Sequence, residues 1–348
     1  MDKIFINGTI RTMDAAIPRA EAVAIKNGVI LRVGGNEEIL SLRTPETRII
    51  DLQGKLLLPG FNDSHIHLLS YGYSLEKVSL GTANCVEDLI LQGKAFLDKH
   101  PDTRWLQGRG WNNENWAVKD FPTRYDLDCI SRDIPISFVR ACAHVIAVNS
   151  KALEIMKIKK GVPQPEGGSI DLDASGEPLG IFKEEARNLV YDAVPPLSES
   201  DIRRMILRGA AELLRYGITS VQSDDLEAVA ASDYQKVLNV YFVMARERTL
   251  PVRVHQQCLL PPLSRLKEFF ALGYHYGQGN DLFRIGPLKL LGDGSLGGRT
   301  AYMTEPYADD PSTRGIHTFT QSELDDLIAA AHDQGMPCAV HCIGDGQL

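Results

Sequence analysis

The sequence lacks the features that mark secreted, disulfide-rich and membrane-spanning proteins. None of its six cysteines belongs to a Cys-x-x-Cys pair. No apolar run approaches the length that crosses a bilayer, and the polar N-terminal residues do not resemble a signal peptide. We therefore expect a cytoplasmic protein with reduced thiols and no membrane partner.

A strongly basic segment is also missing. The formal net charge is −8 over 348 residues, which argues against a nucleic-acid-binding surface. Neither a P-loop nor a Gly-x-Ser-x-Gly motif occurs, so a P-loop nucleotide site and a serine-hydrolase mechanism both lack support. A hydrophobic content of 44% is ample for a large core and more than one domain. The expected partner is a small-molecule substrate, and assembly as a homodimer is left open.

Two neighbouring histidines are the most informative feature that is present. His65 and His67 end the apolar run Leu56-Leu-Leu-Pro-Gly-Phe-Asn-Asp-Ser-His-Ile-His. Side chains alternate faces along a strand, so residues two apart point the same way and place two imidazoles side by side. Imidazole is the commonest protein ligand of zinc, and the pair predicts a metal site at a strand end. The alternative is two ordinary polar residues that end a strand.

Residues 1–57 read as a small β-sheet module. Asn7-Gly8 and Asn27-Gly28 each lie between two short apolar runs. Asn-Gly in such a setting is the strongest short-range hairpin signal, so we expect a hairpin at each position.

From residue 198 onward the pattern alternates between helix and strand. Capping sequences at Ser198, Ser232 and Thr320 open helices, and a short apolar strand follows each helix. With the His-x-His strand, the later strands indicate five consecutive strands of a parallel α/β barrel. Residues 70–197 are less regular and read as a large insertion over the active-site face, where long loops commonly build the substrate pocket. The later predicted strands are Ile218–Val221, Pro251–Val254, Arg284–Leu291 and Cys338–Cys342.

Lys289 and His341 are the next candidates for chemistry. Lys289 lies between leucines in the predicted core strand of Gly286–Asp293. Burial favours its neutral amine, which can react with CO₂ to give a carbamate whose two oxygens could bridge two metal ions. The alternative is an ammonium that reaches the strand end and pairs with Asp293. His341 ends a later strand, where barrel enzymes place catalytic groups, and the alternative is a core histidine with satisfied ring nitrogens.

Four further residues have alternative interpretations. Asp293 would either orient substrate or cap a turn. His144, beside an apolar strand, would either line the pocket or serve a structural role. Trp111, one of three tryptophans in the insertion, would either line an apolar pocket or pack in a core. Glu184 falls early in a predicted helix, where an acidic residue suits the helix dipole, and no catalytic role is expected for it.

Taken together, the chain resembles the amidohydrolase superfamily, in particular its YtcJ-like branch, amidohydrolase family 3. The matching motifs run from end to end, and their combination is much more specific than any one of them. Besides the Asn-Gly turns and the His-x-His run, they are Asp126-Leu-Asp, His144 with Asn149-Ser-x-Ala-Leu, Gly168-x-x-Asp, Gly180-Ile-Phe-x-Glu, Gly217-Ile-Thr-Ser, Lys289-x-x-x-Asp-Gly-Ser and His341-x-Ile-Gly-Asp.

This resemblance implies an α/β fold of two parts. Residues 58–348 would form a TIM-type (β/α)8 metal-dependent hydrolase barrel, with the insertion at about residues 70–197. Residues 1–57 would contribute the N-terminal part of a composite β-sandwich.

The resemblance also implies one or two divalent metal ions, usually zinc, at the mouth of the barrel. The two histidines of the His-x-His run would ligate one ion, a carboxylated lysine would bridge, and a later histidine would serve the second. A metal-activated water would then hydrolyse a C–N bond other than a peptide bond, in an amide or a cyclic amide. The candidate residues are His65, His67, Lys289 and His341 for metal binding, Lys289 and Asp293 for catalysis, and Trp111 and His144 for substrate binding.

Members of this family continue beyond the strand that carries the His341 motif. They add three barrel strands, a second metal-binding histidine and an aspartate that takes a proton from the attacking water. We therefore expect an incomplete barrel with about five strands. Two alternatives to a hydrolase stay open: a catalytically inactive remnant or binding module of the same fold, and a metal-free lyase or isomerase on the same barrel.

Overall fold

The computed structural model describes residues 1–226 and 234–347. Its chain divides into two compact units. All the candidate site residues lie in the second unit, and the boundary expected at residue 57 stays a prediction. The first unit comprises Met1–Ser64 and Leu214–Val221, and the second comprises His65–Leu213 and Gln222–Leu348.

The N-terminal region is built of short strands. Strands β5, β4, β1 and β6 form one sheet in that order, and β3, β2 and β7 form another. Ile4, Ala24 and Ile39 are buried together in a small core. The composite sandwich implied by the resemblance stays a prediction. The elements are β1 (Lys3–Ile6), β2 (Thr9–Arg11), β3 (Arg19–Ala20), β4 (Ala22–Lys26), β5 (Val29–Gly34), α1 (Asn36–Leu40), β6 (Arg48–Asp51) and β7 (Leu56–Leu57).

The two Asn-Gly sequences have different outcomes. Asn27-Gly28 joins β4 to β5, which pair antiparallel as predicted. The hairpin predicted at Asn7-Gly8 is wrong, because β1 pairs with β4 and β6 whereas β2 pairs with β3 and β7 in the other sheet. Asn7 adopts a φ of 54°, so the chain does turn there. Turn chemistry predicted the change of direction, but long-range pairing chose the partner strands.

The region predicted as an insertion contains an ordered sheet of its own. Its strands follow the order β13–β14–β12–β11–β10–β9. The apolar strand expected beside His144 is β12, and all four of its residues are buried. The sheet as a whole was not predicted. The elements are β8 (Phe61–Ile66), α2 (Leu68–Ser74), β9 (Val78–Ser79), α3 (Val86–Lys99), β10 (Leu106–Trp111), a 3-10 turn (Asn113–Asn115), α4 (Arg124–Asp128), β11 (Ile136–Arg140), β12 (Val145–Val148), α5 (Ser150–Ile155), β13 (Gly168–Leu172), β14 (Pro178–Glu184) and α6 (Arg187–Ala193).

The remaining elements are repeated helix–strand units. With β8, their strands form a five-stranded sheet in chain order, β8–β15–β16–β17–β18. The pairs β16–β17 and β17–β18 are parallel, and this half-barrel sheet confirms the five consecutive strands predicted. None of the helices described by the structure is long and apolar enough to span a membrane. The elements are α7 (Glu199–Arg215), β15 (Ile218–Asp224), α8 (Tyr234–Arg246), β16 (Arg253–Leu259), α9 (Leu263–Ala271), β17 (Phe283–Leu291), α10 (Gln321–Asp333) and β18 (Cys338–His341).

Two of the three predicted helix starts are confirmed by hydrogen bonds. Thr320 forms a capping box with Glu323 at the start of α10. Ser198 forms the equivalent box with Asp201 at the start of α7, because its backbone N–H donates to the Asp201 carboxylate and its hydroxyl accepts the Asp201 backbone N–H. The capping box predicted at Ser232 lies outside the described residues.

Two glycines let helix α2 pack closely against α7. A Cβ atom on Gly72 would lie 2.0 Å from the carbonyl oxygen of Met205. A Cβ atom on Gly209 would lie 2.9 Å from the side chain of Leu68. The contact at Gly72 is with backbone and is too short for any side chain, so glycine is required there, whereas at Gly209 the Leu68 side chain would have to shift. The close contact anchors α2, which begins immediately after His67.

Candidate active site

The two predicted metal ligands lie together at the end of β8. His65 is the penultimate residue of β8, and His67 immediately precedes α2. Their rings meet edge to face with centroids 5.3 Å apart, and both residues are exposed. The structure therefore brings the two imidazoles together, in a place that solvent reaches.

The ring of His67 is oriented by the neighbouring strand. Its Nδ1 lies 2.7 Å from the carbonyl oxygen of Asp224 at the end of β15. A carbonyl oxygen only accepts, so Nδ1 carries the proton and Nε2 keeps its lone pair for a ligand. Metal-binding histidines commonly show this arrangement, in which the hydrogen bond of one nitrogen sets the ring and its tautomer.

A buried polar network supports the same corner of the site. The Ser223 hydroxyl accepts from the backbone N–H of Leu68 at 2.9 Å and donates to Asp225 at 2.7 Å. The Asp225 carboxylate also accepts from the backbone N–H of Leu69 at 2.9 Å and from the Tyr241 hydroxyl at 2.6 Å. Burial raises the pKa of Asp225, although its hydrogen bonds act in the opposite direction. The network satisfies the first N–H groups of α2 without a conventional cap.

Sequence analysis missed this network and two buried amides beside it. The run Ser223-Asp-Asp lies at the end of β15. Polar residues at the end of a strand of a parallel sheet were the signal that could have revealed the network. On β16, the side-chain oxygens of Gln256 and Gln257 are buried and have no hydrogen-bond partner in the described part of the chain. No sequence pattern pointed to these two glutamines.

Lys289 is buried in β17, and no described residue forms an ion pair with it. The residue is 8% exposed and pairs in register with Leu259 on one side and Ala339 on the other. Within residues 1–226 and 234–347, no carboxylate forms an ion pair with it, so the predicted alternative of a Lys289–Asp293 pair is not formed. A buried ammonium without a partner is costly, so packing does not explain why a lysine occupies position 289.

Asp293 accepts hydrogen bonds from the backbone of two neighbouring segments. Its carboxylate accepts N–H groups from Tyr302 at 2.9 Å, Ile343 at 3.0 Å and Gly344 at 2.7 Å. Burial pushes its pKa upward, but these three hydrogen bonds outweigh burial and lower the pKa. A carboxylate used in this way is poorly placed for proton transfer. The structure therefore supports the turn-capping alternative, and a catalytic role for Asp293 gains no support.

His341 lies at the end of β18, close to the same loop. Its Nε2 is 2.9 Å from the carbonyl oxygen of Gly294 and 3.8 Å from the Asp293 carboxylate. The contact with a carbonyl places the proton on Nε2, which leaves Nδ1 as the acceptor. Metal binding by His341 stays a prediction.

The two predicted substrate-binding residues differ in accessibility. Trp111 is fully buried in a hydrophobic core, and its ring N–H donates to the carbonyl of Phe138 at 3.0 Å. Packing therefore accounts for Trp111, and a place in a substrate pocket is not supported.

His144 is 61% exposed, and its Nδ1 lies 2.8 Å from Glu184. This hydrogen bond lowers the pKa of the Glu184 carboxyl. Substrate binding by His144 stays a prediction.

The candidate ligands do not by themselves make a complete site. Among residues 1–226 and 234–347, no group of three or more histidine, cysteine, aspartate or glutamate side chains is arranged to hold a metal ion. The structure supplies an oriented histidine pair and a buried lysine.

Comparison with known proteins decides the family. The pattern of the amidohydrolase family matches residues 48–348. The chain belongs to this family. It is 35% identical over 346 residues to YtcJ of Bacillus subtilis, whose name assigns it to the amidohydrolases, and the match covers 99% of this chain and 64% of YtcJ.

Two other relatives extend the comparison. The chain is 27% identical over 361 residues to N-substituted formamide deformylase of Arthrobacter pascens, covering 99% of this chain and 64% of that protein. A solved structure of a metal-dependent hydrolase from Pyrococcus horikoshii matches with a TM-score of 0.76 and 31% identity, covering 99% of this chain and 66% of the other. The chain thus spans 64% of the length of both curated relatives named here, and the predicted resemblance to the YtcJ-like branch is confirmed.

Proposed function

We propose that the protein is a metal-dependent hydrolase of C–N bonds other than peptide bonds, acting on small amides or cyclic amides. The observation that carries the proposal is the His65–His67 pair, with His67 held in a ligand-ready tautomer by Asp224. Family membership and the name of the deformylase support the bond type. The name of the Pyrococcus hydrolase supports the use of a metal.

The residues present fit a divalent cation, for which zinc is our first choice because imidazoles supply the ligands. His65 and His67 would hold it, and His341 would serve a second ion. When bound, such a cation lowers the pKa of a water molecule and polarises the scissile carbonyl. The chain's own contribution is to hold the two rings and, through the Asp224 carbonyl, to keep Nε2 of His67 free of its proton.

Lys289 is proposed to act as a carbamate. The neutral amine would attack the carbon of CO₂, form an N–C bond and lose one proton, which gives an anionic group with two oxygen donors. That group would account for a lysine that the fold buries without a carboxylate partner among residues 1–226 and 234–347. The proposal gives Lys289 a positioning role towards the cation, in line with the chemistry of divalent metals and oxygen ligands.

The substitution Lys289→Ala tests this function. We expect wild-type protein to take up divalent metal and to release formate from an N-substituted formamide. Lys289→Ala should lose most of the metal uptake and most of the formate release. Acetate or propionate should restore part of the metal uptake, because a small carboxylate can replace the carbamate oxygens. Lys183→Ala is the control, since Lys183 pairs with Asp171 outside the site. Unchanged metal content in Lys289→Ala would refute the assignment.

One observation favours the second candidate, a binding module of the same fold without activity. The described residues contain no group of three conventional ligand side chains. A stably folded wild-type protein that takes up no divalent metal, even with excess zinc and bicarbonate, would favour this alternative.

A further inference from the structure

The larger unit contains a cavity that none of the candidate metal ligands lines. Its volume is about 230 Å³, and it is lined by the end of α3, the segment leading into β10 and the first half of α7. None of His65, His67, Lys289 or His341 lines it. We propose that this cavity binds a small monocarboxylate with an aromatic or branched apolar body, held by the guanidinium of Arg208.

Two of the three acidic side chains that line the cavity, those of Glu76 and Asp201, already pair with other arginines. Both oxygens of Glu76 accept from Arg204, each at 2.8 Å. The buried Asp201 accepts from Arg204 at 2.9 Å and from Arg104 at 2.5 Å. Burial pushes the Asp201 pKa upward, but hydrogen bonds from Ser198 and the two arginines bring it well below its usual range. Asp201 is therefore ionised, and Arg204 and Arg104 are the cations that already have carboxylate partners.

Arg208 is left without an anionic partner. Its Nη2 lies 2.9 Å from Nε2 of His100, and in the described part of the chain no carboxylate pairs with it. A guanidinium only donates, so His100 must accept and its ring is neutral. Burial, followed by the charge of Arg208, lowers the pKa of His100, which agrees with a neutral ring. The remaining N–H groups of the guanidinium suit the two oxygens of a carboxylate.

The overall charge of the lining matches a single negative charge. Four cationic side chains and three acidic ones line the cavity, which leaves one positive charge unbalanced. A dianion such as phosphate would exceed that balance. The charged residues are Lys99, Arg104, Arg204, Arg208, Glu76, Asp102 and Asp201.

The size and the apolar wall identify the rest of the ligand. An engineered apolar cavity of about 150 Å³ holds benzene, so about 230 Å³ accommodates a six-membered ring with a carboxylate attached. Apolar side chains line one part of the cavity, so an apolar body attached to the carboxylate would have apolar neighbours there. The apolar lining residues are Phe96, Pro101, Trp105, Val194, Pro195, Leu197 and Met205.

The test compares a charged and an uncharged ligand of one shape. We would titrate the purified protein with 4-fluorobenzoate and with 4-fluorobenzamide and follow both by fluorine NMR. We expect the carboxylate to bind at least about tenfold more tightly than the amide, and Arg208→Gln to weaken its binding by about tenfold or more. Arg203→Gln is the matched control, because Arg203 lies on the same helix but pairs with Glu247 outside the cavity.

A further variant separates charge from folding. Arg208→Lys keeps the positive charge and should bind the carboxylate with an affinity between those of wild type and Arg208→Gln. Thermal melting of each variant would confirm that it is folded. Wild-type protein that does not bind the carboxylate, equal affinities for carboxylate and amide, or an equal loss in Arg203→Gln and Arg208→Gln would each overturn the proposal.

Discussion

The position of His67 depends on polar groups that lie at the end of a different strand. The carbonyl of Asp224 sets its ring, while Ser223 and Asp225 hold the two backbone N–H groups that follow it. Every hydroxyl and carboxylate in this network has partners, and the whole is buried. Removing one member therefore leaves a buried group unpaired, which costs more than the lost hydrogen bond alone.

Ser223→Ala should destabilise the protein by about 1–3 kcal/mol, because the buried Leu68 N–H loses its partner and one Asp225 oxygen loses one of its two donors. Urea unfolding measures the change. Ser220→Ala, the same substitution on the same strand, is the control: the Ser220 hydroxyl bonds to Asn62 at an exposed position and should matter by less than about 0.5 kcal/mol. Equal effects of the two substitutions would contradict the role given to the network.

At the scale of secondary structure, the start of α7 combines a helix cap with two ion pairs. Asp201 closes the capping box with Ser198 and also binds Arg104 and Arg204, although its side chain is only 5% exposed. A carboxylate so placed stabilises the folded state only while it is ionised.

Asp201→Asn should lower the free energy of unfolding at pH 7 by about 2 kcal/mol, because it removes charge-assisted hydrogen bonds to a buried carboxylate whose arginine partners are more than half exposed. The folded-state pKa of Asp201 is lowered, so its stabilisation is fully present above the unfolded value of about 4 and is lost as the pH falls below it. The difference between wild type and variant should therefore shrink from about pH 4 downwards. Urea unfolding at several pH values measures it.

Asp281→Asn is the control for this prediction. Asp281 pairs with Arg248 at the surface, where both side chains are more than half exposed, and the loss should be within about 1 kcal/mol. A difference between Asp201→Asn and wild type that stays constant down to pH 2 would show that ionisation of Asp201 is not its source.

At the scale of the whole molecule, metal uptake and stability should be coupled. A ligand that binds only the folded state stabilises it by about 2.7 kcal/mol at a hundred times its Kd. The proposed ligands come from strands far apart in the sequence, β8, β17 and β18, so the unfolded chain cannot present them together.

Removal of metal with a chelator should therefore lower the melting temperature by about 5 °C or more, and added zinc should restore it. His65→Ala should melt at the same temperature with and without chelator. His275→Ala, which removes an exposed histidine outside the site, should respond as wild type does. Differential scanning calorimetry measures all three, and a chelator response that survives in His65→Ala would place the metal elsewhere.

Local signals account for the parts of the fold that were predicted correctly. The five strands of the half-barrel and the capping boxes at Ser198 and Thr320 depend on residues within a few positions of each other. The pairing of β2 and the sheet inside residues 70–197 were missed because partner choice depends on distant segments. In the site, His65 and His67 could be paired from their spacing alone, whereas Ser223 and Asp225 could not be connected to them.

The sequence by itself determined the family, the alternation of helix and strand, and the residue types available for chemistry, because motifs and periodicity are local properties of the chain. Only the tertiary structure decided how those residues are used. It brings the Asp224 carbonyl to His67 across 157 positions, occupies Asp293 with backbone N–H groups, and leaves Arg208 facing a cavity with a neutral histidine. Hydrogen bonds and ion pairs form between whichever groups folding brings within about 3 Å, and sequence spacing does not carry that information.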